Sequence, residues 1–96
     1  MLSTSSELIS VVAARVREAR LAADLTQAGL AARAGVSLGA IRRFETTGQI
    51  AFESLARLAI ALSRERDFEA LFVPPPIASL DALISPAPTR LRGRRT

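Results

Sequence analysis

Five residues, Gln27, Ala31, Gly35, Val36 and Ile41, follow one another at intervals of four, four, one and five positions. No other feature restricts what this chain can fold into as strongly. Thr26 precedes them as a good N-cap for a helix of about Gln27 to Ala34. Gly35 is placed to end that helix in the left-handed conformation that glycine tolerates best. Ser37, another N-cap type, then opens a helix of about Leu38 to Thr46, which Gly48 closes. Each residue type follows from the geometry of two short helices joined by a tight turn. Ala31 must be small where the second helix crosses the first, and Leu30, Val36, Ile41 and Phe44 must be apolar to anchor both on a core.

The remaining segments read as further helices, giving an all-α, five-helix bundle. A first helix of about Ser6 to Ala23 carries Val12, Val16 and Ala19 on one apolar stripe, with residues 1–4 frayed. A fourth, about Phe52 to Ser63, repeats Leu55, Leu58, Ala59 and Leu62 on one side, although Ala51 stands where a capping Ser or Thr would be favoured. A short fifth piece, about Glu65 to Phe72, offers Phe68, Leu71 and Phe72. Pro74, Pro75 and Pro76 stop helix formation. The expected organisation is therefore a compact domain over 1–73 and a proline-broken, Arg-rich extension over 74–96, in which Leu80, Leu83 and Ile84 form a small apolar set before Pro86 and Pro88. Alanine, leucine and arginine dominate the chain, all good helix formers, and no alternating β-branched run reads as a strand.

Charge is distributed unevenly. The net charge is +4, and Arg90, Arg92, Arg94 and Arg95 at the end have no acid among them. Within 26–47, Arg33, Arg42 and Arg43 face only Glu45. A basic end on a neutral body suits phosphates or an acidic partner surface, and equally a solvated terminus. The chain has no His, Cys or Tyr and all thirteen basic residues are Arg, which removes the usual general bases, the thiolate and the Schiff-base amine. Carboxylates remain, but not in a recognisable paired motif. No catalytic residue, metal ligand set, cofactor or phosphate-binding glycine loop is expected. A small-molecule effector pocket is not expected in so small a domain. Leu8, Ile9, Val11 and Val12 follow Glu7 rather than a basic stretch, and Arg15 and Arg17 interrupt the run, so neither a targeting signal nor a membrane span is expected. These features favour a soluble, cytoplasmic protein that is not an enzyme.

Residues Thr26–Glu45, TQAGLAARAGVSLGAIRRFE, resemble the helix-turn-helix of the Xre/Cro family, which includes the lambdoid phage repressors. Val16-Arg17-Glu18-Ala19-Arg20 upstream and the Leu55–Leu62 helix downstream extend the resemblance over roughly 8–72. It implies a lambda repressor-like bundle that binds double-stranded operator DNA, usually as a homodimer, through the helix at about 38–46 in the major groove. By position, Gln27 corresponds to a residue that touches phosphate and braces the recognition helix. Ser37 corresponds to the residue that caps that helix and contacts the backbone. Leu38, Gly39 and Arg43 fall at positions facing base edges, with Ala40 and Arg42 beside them, and Thr46 and Thr47 match a loop that meets phosphate. Arg20 and Glu45 match a largely buried structural ion pair between the first and third helices.

Departures from the family pattern narrow these expectations. Leu38 can press on a thymine methyl but cannot hydrogen-bond a base, and Gly39 has no side chain at all. Arg43 is then the strongest base reader, suited to guanine. Gly39 within the third helix and Gly29 within the second are weak helix formers. Three functions fit the sequence: a dimeric transcriptional repressor of its own promoter; a HipB-like antitoxin that also holds a HipA-type toxin through Phe68–Phe72, Leu80–Ile84 and the basic end; and a protein-interaction module whose helix-turn-helix no longer reads DNA.

Overall fold

A computed structural model describes residues 4–76, all of it helix and connecting turn. The elements are α1 (Ser5–Ala22), α2 (Gln27–Ala34), α3 (Leu38–Thr47), α4 (Phe52–Ala61) and α5 (Glu65–Glu69). Leu80–Ile84, Pro86, Pro88 and the arginines at 90–95 lie outside the described residues, as do residues 1–3.

Four side chains, Leu30, Ile41, Phe44 and Leu58, are completely or almost completely buried and form the centre of the core. Ala13, Ala31 and Val36 close in around them. Burying each of the large residues contributes about 1.5–3 kcal/mol, and α2, α3 and α4 all supply at least one. Around this centre α1 packs on α3, α2 on both α3 and α4, and α4 on α5.

Local devices set the starts of the first three helices. The Thr26 hydroxyl accepts from the Gly29 N–H at 2.9 Å, and the Ser37 hydroxyl accepts from the Ala40 N–H at 3.1 Å. Gly35 ends α2 at φ +69°, in the left-handed region. Thr4 also caps its helix, in a reciprocal box with Glu7: its hydroxyl accepts from the Glu7 N–H while the Glu7 carboxylate accepts from the Thr4 N–H. From the sequence, α1 is expected to begin at about Ser6, with Thr4 in the frayed end. The Thr4-x-x-Glu7 spacing is the signature of this box and moves the start back to Ser5.

The helix ends differ more from expectation. Asp24, Ser63 and Phe72 adopt φ of 62°, 59° and 59°, a conformation the sequence does not announce because none is glycine. Ser63 turns the chain out of α4 at Ala61, and Phe72 lies beyond α5, which ends at Glu69. The Val12–Val16–Ala19 stripe of α1 is only partly covered: Val12 is exposed, Ala19 is half-buried, and Val16 is half-buried against the core. It forms one wall of an open groove of about 450 Å³ against Leu55, Leu62 and Phe68, in a domain whose small size argued against a pocket. The buried side of α1 is instead Ala13 and Arg20.

Candidate nucleic-acid interface

Helix α3 has two opposite sides. Ile41 and Phe44 enter the core, while Gly39, Arg42, Arg43, Thr46 and Thr47 are exposed. Positions 39, 42, 43 and 46 recur at helical spacing, so they form one solvent stripe. Leu38 and Ala40 sit at its edges, half-buried and packed against the core. The structure thus narrows the outward residues of α3: Leu38 is partly engaged in packing, while Arg42, expected only beside the stripe, lies on it.

No acid interrupts this surface. From residue 25 to residue 52 the only carboxylate is Glu45, and its side chain is 5% exposed. The guanidinium groups of Arg42 and Arg43 form no ion pair with any described residue. At the start of α3 the first amides of the helix point outward, with Ser37 capping only the third. A Cβ placed on Gly39 would meet nothing within 4 Å, so the backbone here is open to close approach.

The inner side of α3 is held by a polar clamp. Arg20 of α1 donates from Nε to Glu45 Oε2 at 2.7 Å and from Nη2 to Oε1 at 3.0 Å, a side-on bidentate pair. Its Nη1 donates to the Leu25 carbonyl at 2.8 Å, tying in the α1–α2 turn. Gln27 Nε2 donates to Glu45 Oε1 at 3.0 Å, adding α2. One carboxylate therefore fixes α3 relative to α1, α2 and the turn between them. Burial alone would raise the Glu45 pKa. The hydrogen bonds from Arg20 and Gln27, with the charges of Arg20 and Arg17, outweigh it and hold the carboxyl below its ordinary value. Neither Arg17, 3.9 Å from Glu45, nor the Leu25 carbonyl was evident from the sequence, since both contacts depend on how α1 lies across α3.

Thr46 and Thr47 end α3 rather than occupying a loop. Their hydroxyls donate back to the Arg42 and Arg43 carbonyls at 2.8 and 2.7 Å, and Thr47 Oγ1 also accepts from the Gln49 N–H. Gln27 keeps one Nε2 hydrogen beyond the one given to Glu45. Gly48 follows at φ +82°, and its Cα approaches α1 so closely that a Cβ would lie 2.9 Å from Ile9.

A family model described as helix-turn-helix matches residues 16–68. The chain belongs to this family, the Xre-type, lambda repressor-like helix-turn-helix proteins. No curated protein matches the sequence. As an Xre-type protein it is a DNA-binding transcription regulator. The matched span begins at the α1 residues leading into the clamp and ends at Phe68 of α5, so it takes in all five helices at least in part. Among the described residues no group of side chains is arranged to hold a metal ion, and no helix is long and apolar enough to cross a membrane.

Proposed function

We propose that this regulator is a sequence-specific repressor of its own promoter, acting as a homodimer that lays the exposed stripe of α3 in the major groove. The observation that carries this reading is the pair Arg42 and Arg43, exposed, without an acidic partner, on a helix whose other side is clamped in place. A rigid scaffold presenting free guanidinium groups suits bidentate recognition of guanine O6 and N7. Arg43 is the principal base reader, with Arg42 beside it. Gly39 and Leu38 contribute outward amides and close approach rather than long polar side chains, and Ser37 holds the amide-bearing end of α3 against a phosphate. Ala40 packs beneath this end. Gln27 braces α3 through Glu45 and offers its second Nε2 hydrogen to phosphate. Thr46 and Thr47 reach phosphate only by rotating their hydroxyls away from the helix carbonyls.

In a dimer, two α3 helices enter successive major grooves about 34–36 Å apart on one side of the duplex. Fluorescence anisotropy on the protein's upstream DNA and on a scrambled duplex, across a salt series, tests this. The expected result is tighter binding upstream, weakening with salt by roughly one log unit per log unit for each phosphate contact. Absence of binding to either duplex at low salt would contradict it.

One observation favours a second role as an antitoxin. Leu71, Phe72 and Val73 are consecutive and exposed, Phe72 fully so. Such a run suits a protein partner better than water. Co-purification with the product of an adjacent kinase-like gene, lost on Phe72→Asp, is the expected result; a gene without such a neighbour contradicts this role. The domain limits 1–73 and 74–96 belong to the same reading, with the extension serving phosphate or partner contact.

A further inference from the structure

The groove between α1 and the α4–α5 pair is an apolar surface that the described residues leave open. Val12, Val16, Leu55, Leu62, Phe68 and Leu71 line it, with Val12 40% and Leu71 46% exposed. Three exposed charged residues border it. Arg64 and Asp67 are paired with each other at 2.7 Å, while Arg15 has no ion-pair partner among the described residues. A site for a small ligand orients it with a few sheltered polar groups. Here the Arg64 and Asp67 side chains are more than half exposed, so the lining suits an apolar segment with one acid rather than a small molecule.

We propose that this groove is the seat of the chain's own residues 77–84, IASLDALI, which lie outside the described residues. Connection supplies the first argument. Leu71 belongs to the lining, and the described chain ends at Pro76. Between Leu71 and Ile77 the chain spans at most about 20 Å, so the segment starts beside the groove. Pro76 and Pro86 bracket it and set it off from α5 and from the basic end. Pattern supplies the second argument. Ile77, Leu80, Leu83 and Ile84 recur at helical spacing, and the small residues Ala78, Ser79 and Ala82 fill the other positions. Such a stripe from Ile77 to Ile84 is about 11 Å long, and the α1 wall of the groove from Val12 to Ala19 has the same length. Charge supplies the third. Asp81 is the only acid between Glu69 and Thr96, and at helical spacing it borders the apolar stripe next to Ile77. Arg15 borders the groove in the same way, between Val12 and Ala19. The groove's one cation without a described partner therefore meets the segment's one acid. A tether of a few residues also raises the local concentration to about millimolar, so a contact too weak to hold a separate peptide suffices. Docking covers Val12 and Leu71 and leaves Phe72, which is not part of the lining, exposed. It uses no residue of α3, so the inference stands apart from the repressor and dimer readings.

The chain contains no cysteine, so a single introduced thiol reports on the groove. Maleimide labelling of the full chain carrying Val12→Cys is timed with and without Leu80→Asp. A docked-to-open ratio of about ten makes labelling about tenfold slower while Leu80 is intact. Ala14→Cys, at an exposed position outside the groove, should label at one rate in both backgrounds, which separates undocking from unfolding. Protection should not change with protein concentration. The charge pair gives a second test that leaves the apolar residues in place. Arg15→Asp should speed labelling of the Val12→Cys thiol by roughly two- to fivefold, and adding Asp81→Arg should restore the protection. Equal rates with and without Leu80→Asp would overturn the inference, because the groove would then be open or covered by other residues. Protection that grows with protein concentration would overturn it in favour of a second copy. A swapped pair no better protected than Arg15→Asp alone would overturn it as well.

Discussion

The α1–α3 part of the molecule and the α4–α5 part are built differently. Each of the first three helices begins with a side-chain cap, at Thr4, Thr26 and Ser37, and the clamp on Glu45 joins all three. Helices α4 and α5 follow Ala51 and Arg64 without a side-chain cap; α4 exposes Phe52 and Ile60, and the segment after α5 exposes Leu71 and Phe72. The difference teaches where precision is needed. The part that presents α3, the helix proposed to meet DNA, is over-determined. The part that carries apolar surface outward is under-determined by itself, as expected of a surface completed by further contacts.

The largest way to break this contrast is at the clamp. Glu45→Ala leaves Arg20, 8% exposed at its side chain, buried without a counter-charge, and a loss of about 3–5 kcal/mol is expected by chemical denaturation. Because the native Glu45 pKa is depressed, its contribution is complete above the carboxyl pKa of the unfolded chain. It disappears as pH falls through the lower native value. Glu45→Gln should therefore be destabilised at neutral pH but show a shallower loss of stability through the acid range. A parallel acid profile for the two proteins would refute the assignment.

Gly48→Ala comes next. Positive φ costs a side chain about 1–2 kcal/mol, and the added Cβ must displace Ile9. A melting temperature unchanged by this substitution would show that α1 and the end of α3 are not so closely fixed. Smaller effects sharpen the contrast between capped and uncapped halves. Ser37→Ala should cost about 1 kcal/mol, whereas Ala51→Ser should add stability, up to about 1 kcal/mol. Gly39→Ala should stabilise α3 by up to about 1 kcal/mol, since nothing lies in the way of the new methyl. Thermal unfolding of the three variants together checks sign as well as size.

The same division governs what the sequence disclosed. Thr26, Gly35 and Ser37 act within a few residues of themselves, so α2 and the start of α3 could be read directly, and Ile41, Phe44 and Leu30 followed from their spacing. The Arg20–Glu45 pair was accessible only through family resemblance, because 25 positions separate the partners. The bracing of α3 by Gln27 was likewise accessible only through that resemblance, whereas the contacts of Leu25 and Ile9 with this region arise from packing and left no local pattern. The ends of α4 and α5 were overestimated because Ser63 and Phe72 turn the chain without glycine. On α3 the arginines were visible as candidates, but which side of the helix Arg42, Leu38 and Ala40 occupy required the core to be in place.

The central claim is that the exposed stripe of α3 reads sequence, with Arg43 as its main reader. The most direct test is to select duplexes from a random library with the unmodified protein, then measure Arg43→Ala on the selected site and on a scrambled duplex. Loss of one bidentate base contact should weaken binding to the selected site by roughly ten- to a hundredfold, with far less change on the scrambled duplex. An equal loss on both duplexes, or a selection that enriches no sequence, would contradict the claim.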